Sequence, residues 1–131
     1  MLRAVLDTNI LVSGLLTPSG LPARVLYALR ERLFTCFYTH AIIYEYVGVL
    51  SRPKFGFVME ETESLINDIR NAGSFLITNP SARPMPDESD RVFYDAAKAA
   101  GAYLITGNAK HYPIEPFILS PAEFIKEIMD H

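Results

Sequence analysis

The chain has 131 residues, half of them hydrophobic, and a formal net charge of −3 with a pI near 5.6. That length suits one domain spanning residues 1–131, with enough apolar material for a core. The acidic balance excludes a protein that holds nucleic acid by bulk positive charge alone.

No apolar run approaches the ~18 residues of a membrane-spanning helix. The opening residues carry one Arg and reach an acid at position 7, unlike a secretory signal. Cys36 is the one cysteine. It reads as a small buried hydrophobe with no internal disulfide partner, and a reducing, cytoplasmic setting fits it.

In chain order, LRAVLD is short and apolar and ends in polar residues, the pattern of a buried strand. LPARVLYALRER predicts a helix, with Pro22 near its start and Val25, Leu26, Leu29 and Leu33 at helical spacing. LFTCFY predicts a second strand. THAIIYEYVGVLSR predicts a helix capped by Thr39, with Ile42, Ile43, Tyr46 and Leu50 on one face. EETESLINDIRNAG predicts an amphipathic helix that stops at Gly73. SFLIT is a third strand, and NPSARPMP a loop broken by prolines. DESDRVFYDAAKAAG is a helix opened by acids and closed by Gly101. AYLIT and FILS are further strands. SPAEFIKEIMDH is a last helix, with Ser120 as cap and Pro121 at its first position. Strands that alternate with helices predict an α/β domain with a mainly parallel sheet.

Four polar positions interrupt these apolar elements. Asp7 falls at the carboxyl end of the first strand, the rim where open α/β sheets collect ligands. Its plain alternative is a cap of the next turn through local backbone hydrogen bonds. Glu45 sits among Ile42, Ile43, Tyr44, Tyr46 and Val47, so it must be exposed, paired or bound to a cation. Ala41, Glu45, Gly48 and Arg52 make a polar stripe, and a solvated Glu45 paired with Arg52 is the simple alternative.

Asp87, Glu88 and Asp90 precede RVFYDAAKAAG, and acids at a helix start suit its positive end. Asp90, one turn inside, points to the same rim as Asp7 if the helix packs on the sheet. Asp95 falls on another side of that helix and reads as solvated. In LITGNAKHY, Asn108 follows a strand end. It offers an amide oxygen to a hard cation or its NH₂ to a carboxylate, unless it only completes a turn. Carboxylates crowded on one edge repel and shift their pKa values upward. Mg²⁺ or Mn²⁺ relieves that, because hard divalent ions take oxygen ligands.

At these residues the sequence resembles the PIN-domain family of metal-dependent ribonucleases. VLDTNILVSGLL, THAIIYEYVGVLSRPKF and DESDRVFYDAAKAAGAYLITGNAKHYP carry the likeness, in that order and over nearly the whole chain. It is most similar to single-domain prokaryotic PIN proteins read as toxins of toxin–antitoxin pairs. The resemblance implies a three-layer α/β/α sandwich, an acidic site for one or two Mg²⁺ or Mn²⁺ ions, and a homodimer. It implies that Asp7, Glu45 and Asp90 are catalytic acids and metal ligands. Asn108 stands where many members have a fourth Asp, with one negative charge fewer. Thr8, Asn9 and Thr106 would orient the acids and metal waters by hydrogen bonds.

The implied reaction is in-line hydrolysis of an RNA phosphodiester by a metal-acidified water, leaving 5′-phosphate and 3′-hydroxyl ends. Arg24, Arg52, Lys54, Arg91, Lys110 and His111 are candidates for a basic rim, against ordinary surface solubility for each. Tyr44, Tyr46 and Phe55 could stack bases, but core packing is the better expectation. The expected partners are RNA, a small antitoxin protein and a second copy, with no membrane. FIKEIM or FGFVM would supply apolar surface for a dimer or an antitoxin helix.

Three other readings compete. A degenerate PIN domain would bind RNA or protein as a scaffold. A haloacid-dehalogenase-type phosphatase needs a second Asp two residues after the first, where Asn9 stands, and a later Lys that is missing. A receiver-like phosphoacceptor needs an Asp after strand three, and SFLITNPSARP has none at its strand end.

Overall fold

The central strand is β1 (Arg3–Leu6). In the computed structural model, which describes residues 1–131, β2 (Thr35–Tyr38) pairs on one side of it and β4 (Tyr103–Ile105) on the other. β3 (Ser74–Phe75) and β5 (Ile118–Leu119) form the edges. The order is β3-β2-β1-β4-β5, and every pair is parallel. Ala4, Val5 and Leu6 are wholly buried, as a strand covered on both faces must be.

The chain steps from β1 outward to β2 and β3, then returns across the sheet to β4. Parallel crossovers are right-handed. That reversal therefore puts α2 (Leu21–Arg30) and α4 (Met59–Ala72) on one face and α5 (Arg91–Ala100) on the other. α5 packs on β1, β2 and β4, while α6 (Pro121–Asp130) joins α2. The expected three-layer α/β/α sandwich results.

Its core is a single cluster that includes Leu6, Val25, Phe34, Ile42, Ile69 and Phe93. Phe34 meets Phe124 edge-on, with centroids 4.9 Å apart, which docks α6. The start of α6 is fixed by a capping box between Ser120 and Glu123. Gly73 allows a close approach: a Cβ there would lie 2.5 Å from the Cys36 carbonyl oxygen, where the end of α4 crosses β2. Gly101 closes α5 at φ 60, a left-handed cap.

Several local expectations differ from what forms. Thr8–Leu16 is a helix, α1, where the sequence shows only a continued apolar run. Its buried side includes Thr8 and Gly14 while Leu16 is exposed, so hydrophobicity does not display a helical period. α2 ends at Arg30, so Leu33 is exposed rather than helical. SFLIT contributes two paired residues, and Ile77 is exposed. DESD is a separate 3₁₀ turn, Glu88–Asp90, and α5 begins after it. α3 (His40–Leu50) is capped by Thr39, whose hydroxyl accepts from the Ile42 amide. It buries Tyr46, as expected, but leaves Tyr44 exposed. Of FIKEIM, Phe124 is core and Met129 exposed; of FGFVM, Val58 and Met59 are exposed. No single helix is long and apolar enough to cross a membrane.

Candidate metal centre

The strand order reverses at β1, so the carboxyl ends of β1 and β4 open the crevice where α/β sheets take ligands. Asp7 and Thr106 are the first residues past those two ends. The Asp7 amide still donates to the Ile105 carbonyl at 3.0 Å, so the ladder carries the acid to the rim before α1 turns away. Asp7 is the N-cap of α1 and accepts from the Asn9 amide, at a long 3.4 Å. The capping alternative is thus realised on Oδ1.

The other oxygen is held more firmly. Asp7 Oδ2 accepts from the hydroxyls of Thr106 at 2.9 Å and Tyr112 at 2.8 Å. Asp7 and Thr106 are both buried. Thr106 Oγ1 in turn accepts from Asn9 Nδ2 at 3.2 Å and from the Asn108 amide at 3.0 Å. Asn9 Oδ1 accepts from the Gly107 amide at 3.0 Å. Asn9 and Thr106 therefore lock the start of α1 to the end of β4. Thr8 does not join them, because its buried hydroxyl has no partner.

Asp90 stands in the opposite condition. Its side chain is 14% exposed, and its Oδ2 atom is buried without a hydrogen-bond partner. His111 Nδ1 lies 3.4 Å away, outside hydrogen-bond geometry. Burial first, and then the charges of Asp7 and Asp87, push Asp90 up to about 6, while His111 opposes the rise. Asp87, Asp90 and His111 bring one ligand atom each to within 4.8 Å of one another. Asp87 Oδ1 accepts from the Ser89 amide at 3.0 Å and its hydroxyl at 2.8 Å, and these bonds hold its carboxyl below the usual range.

This donor set fits a divalent cation. An orphaned buried carboxylate oxygen, a second carboxylate and an imidazole together lack only a positive charge. Asp7 and Glu45 lie outside that trio. Glu45 is half-buried on α3, with neither the Arg52 ion pair nor any other polar partner. Asn108 joins the trio indirectly, its Nδ2 being 2.9 Å from His111 Nε2.

The proposed rim divides. Arg24, Arg52, Lys54 and Lys110 are exposed, and Lys54 lies over the Phe55 ring at 5.1 Å. Arg91 is no free cation: it grips both Glu88 oxygens at 2.8 and 2.6 Å and donates to Ser81 O at 2.7 Å. His111 belongs to the acid cluster rather than to an outer rim. Asp95 is buried, not solvated, and its Oδ2 accepts from the Ser81 amide at 3.0 Å. The loop before Asp87 packs over that side of α5, which helical periodicity cannot show.

Sequence reasoning missed Tyr112 outright. A lone Tyr ahead of Pro113 carries no pattern, and only the fold brings its hydroxyl to Asp7, 105 positions earlier. Tyr46 is core, as its spacing predicts, yet its hydroxyl also donates to the Leu6 carbonyl. Burial, with Asp7 nearby, raises both phenols well above their ordinary range, so both stay donors.

The chain belongs to the PIN-domain family, whose model matches residues 3–110. This is a family of nucleases. An uncharacterised protein of Methanocaldococcus jannaschii, MJ1680, is 26% identical, over 96% of this chain and 91% of that protein. The crystal structure of PAE2754 from Pyrobaculum aerophilum superposes with a TM-score of 0.58 at 15% identity, covering 99% of this chain and 98% of that one. That likeness is one of fold.

Proposed function

We propose that the protein is a metal-dependent endoribonuclease that hydrolyses RNA phosphodiester bonds and serves as the toxin of a toxin–antitoxin pair. The observation that carries this reading is the Asp90 Oδ2 atom, buried without a donor beside Asp87 and His111 in a chain of the PIN family. Asp87 and Asp90 would hold the cation, Mg²⁺ or Mn²⁺, with Asp7 Oδ1 and Glu45 reaching it directly or through water. A divalent ion in such a site supplies acidification of water and polarisation of the phosphodiester.

The chain's own residues do the rest. Thr106 and Tyr112 hold Asp7 by one oxygen and so aim the other. Arg91 and Asp95 pin Ser81 and thereby the loop that leads into Asp87. The exposed Lys110, next to His111 in the chain, and the exposed Arg24, Arg52 and Lys54 would supply phosphate contacts. The free, buried Cys36 suits a cytoplasmic setting. The exposed Val47 and Met59 edge a groove between α3 and α4 of about 460 Å³, apolar surface for an antitoxin or a second copy.

The test is cleavage of a mixed single-stranded RNA pool by the wild type and Asp7→Asn in Mg²⁺, Mn²⁺ or EDTA. Cleavage that needs metal and disappears in the variant is expected. Equal cleavage by both proteins, or cleavage that persists in EDTA, would sink the reading.

A further inference from the structure

We infer that His111 is a nitrogen ligand of the cation held here, its other ring nitrogen partnered by Asn108 in either tautomer, and that it biases the site towards Mn²⁺ over Mg²⁺. This rests on the reading of the Asp87–Asp90–His111 cluster as a cation site. The ligand atoms of the three residues lie within 4.8 Å of one another. Metal bonds of ~2.1 Å place opposite ligands ~4.2 Å apart, so small side-chain adjustments close the shell.

His111 Nδ1 faces Asp90 Oδ2 at 3.4 Å, while Asn108 Nδ2 meets the other ring nitrogen at 2.9 Å. An amide both donates and accepts. With Nδ1 protonated, Nε2 accepts from the Asn108 NH₂. With the Nδ1 lone pair on a cation, the amide turns over and its oxygen accepts from Nε2–H. A carboxylate at 108 would serve only the second state.

The segment that carries His111 is tied at both ends to the start of α1. Asn9 holds the Gly107 amide, and Thr106 and Tyr112 both donate to Asp7. The imidazole is half exposed, at 50%, and so is open to an incoming ion. An imidazole suits transition ions, whereas Mg²⁺ keeps to oxygen ligands and water. A lone phosphate-binding role for His111 would leave metal affinity in the absence of nucleic acid untouched.

The experiment titrates Mg²⁺, Mn²⁺ and Co²⁺ into the full-length metal-free protein by calorimetry, with the Co²⁺ visible spectrum as a second readout. The wild type, His111→Ala and Asp90→Asn are compared, with no RNA present. We expect wild type to prefer Mn²⁺, and His111→Ala to lose about tenfold in Mn²⁺ and Co²⁺ affinity with little change for Mg²⁺. The Co²⁺ band should shift in the same variant.

Unchanged Mn²⁺ affinity in His111→Ala, with binding lost in Asp90→Asn, overturns the role of His111 and leaves the cation site standing. Equal losses for Mg²⁺ and Mn²⁺ in His111→Ala overturn the bias. Full metal binding by Asp90→Asn overturns the cation site itself.

Discussion

Asp7 and Asp90 share one rim of the sheet and feel one another's charge, yet they live in opposite circumstances. Asp7 is more deeply buried, and its carboxylate accepts three hydrogen bonds, two of them on one oxygen. Asp90 is less buried, and its inner oxygen has no donor at all. Burial alone does not make a carboxylate unhappy; burial without donors does. Asp7 is therefore a preset element of the scaffold, whereas Asp90 stores an electrostatic demand that a cation can meet. A site needs both, because a group satisfied by the protein holds its geometry and a group left unsatisfied binds.

The contrast breaks most visibly at Asp7. Asp7→Ala leaves the buried hydroxyls of Thr106 and Tyr112 without their acceptor, and should cost about 3 kcal/mol of stability. Thermal or denaturant unfolding of the metal-free protein measures it, and a loss below about 1 kcal/mol would show that the network is ornamental.

Asp90 should behave the other way. Asp90→Asn should lower cleavage more than about 100-fold, yet leave the metal-free fold equally or more stable. Folding raises the Asp90 carboxyl from 3.8 to about 6, so the folded state resists its ionisation. The resulting penalty is absent below the unfolded value, grows as pH rises between the two, and is complete above the folded one. Melts of metal-free wild type and Asp90→Asn should coincide near pH 3.5 and separate by about 1 kcal/mol, after allowance for solvent screening, near pH 8. The same protonation competes with metal, so wild-type affinity should fall as pH drops through about 6. A pH-independent difference would contradict this account.

The smallest effect sharpens the contrast. Tyr112→Phe keeps the buried ring and removes one of the donors to Asp7 Oδ2. It should cost about 1 kcal/mol of stability and up to about tenfold in metal affinity. Cleavage should fall through weaker metal binding and recover in excess Mn²⁺.

Local chemistry made much of this molecule legible in its sequence. The Thr39 and Ser120 caps, the Gly101 stop and the apolar runs of β1, β2 and β4 all act over a few residues, and each formed as read. Asp7 was legible as an acid at a strand end because an apolar run that stops in Asp-Thr-Asn declares its own boundary. α1 was not, because Thr8 and Gly14 sit on its buried side and Leu16 on its exposed one, which hides its period.

Contacts between distant segments escaped the sequence altogether. Asp95 looks solvated on a helical wheel until the loop at Ser81 closes over it. His111 looks like one more surface base until the turn at Ala109–His111 swings it to Asp90. The sequence by itself determined which residues carry chemistry and roughly where along each element they fall, since strand ends, caps and helix starts are set by neighbours in the chain. Only the tertiary structure decided which acid is satisfied and which is left wanting. That balance depends on donors brought from Thr106 and Tyr112, some hundred residues away from Asp7, and chain proximity says nothing about them.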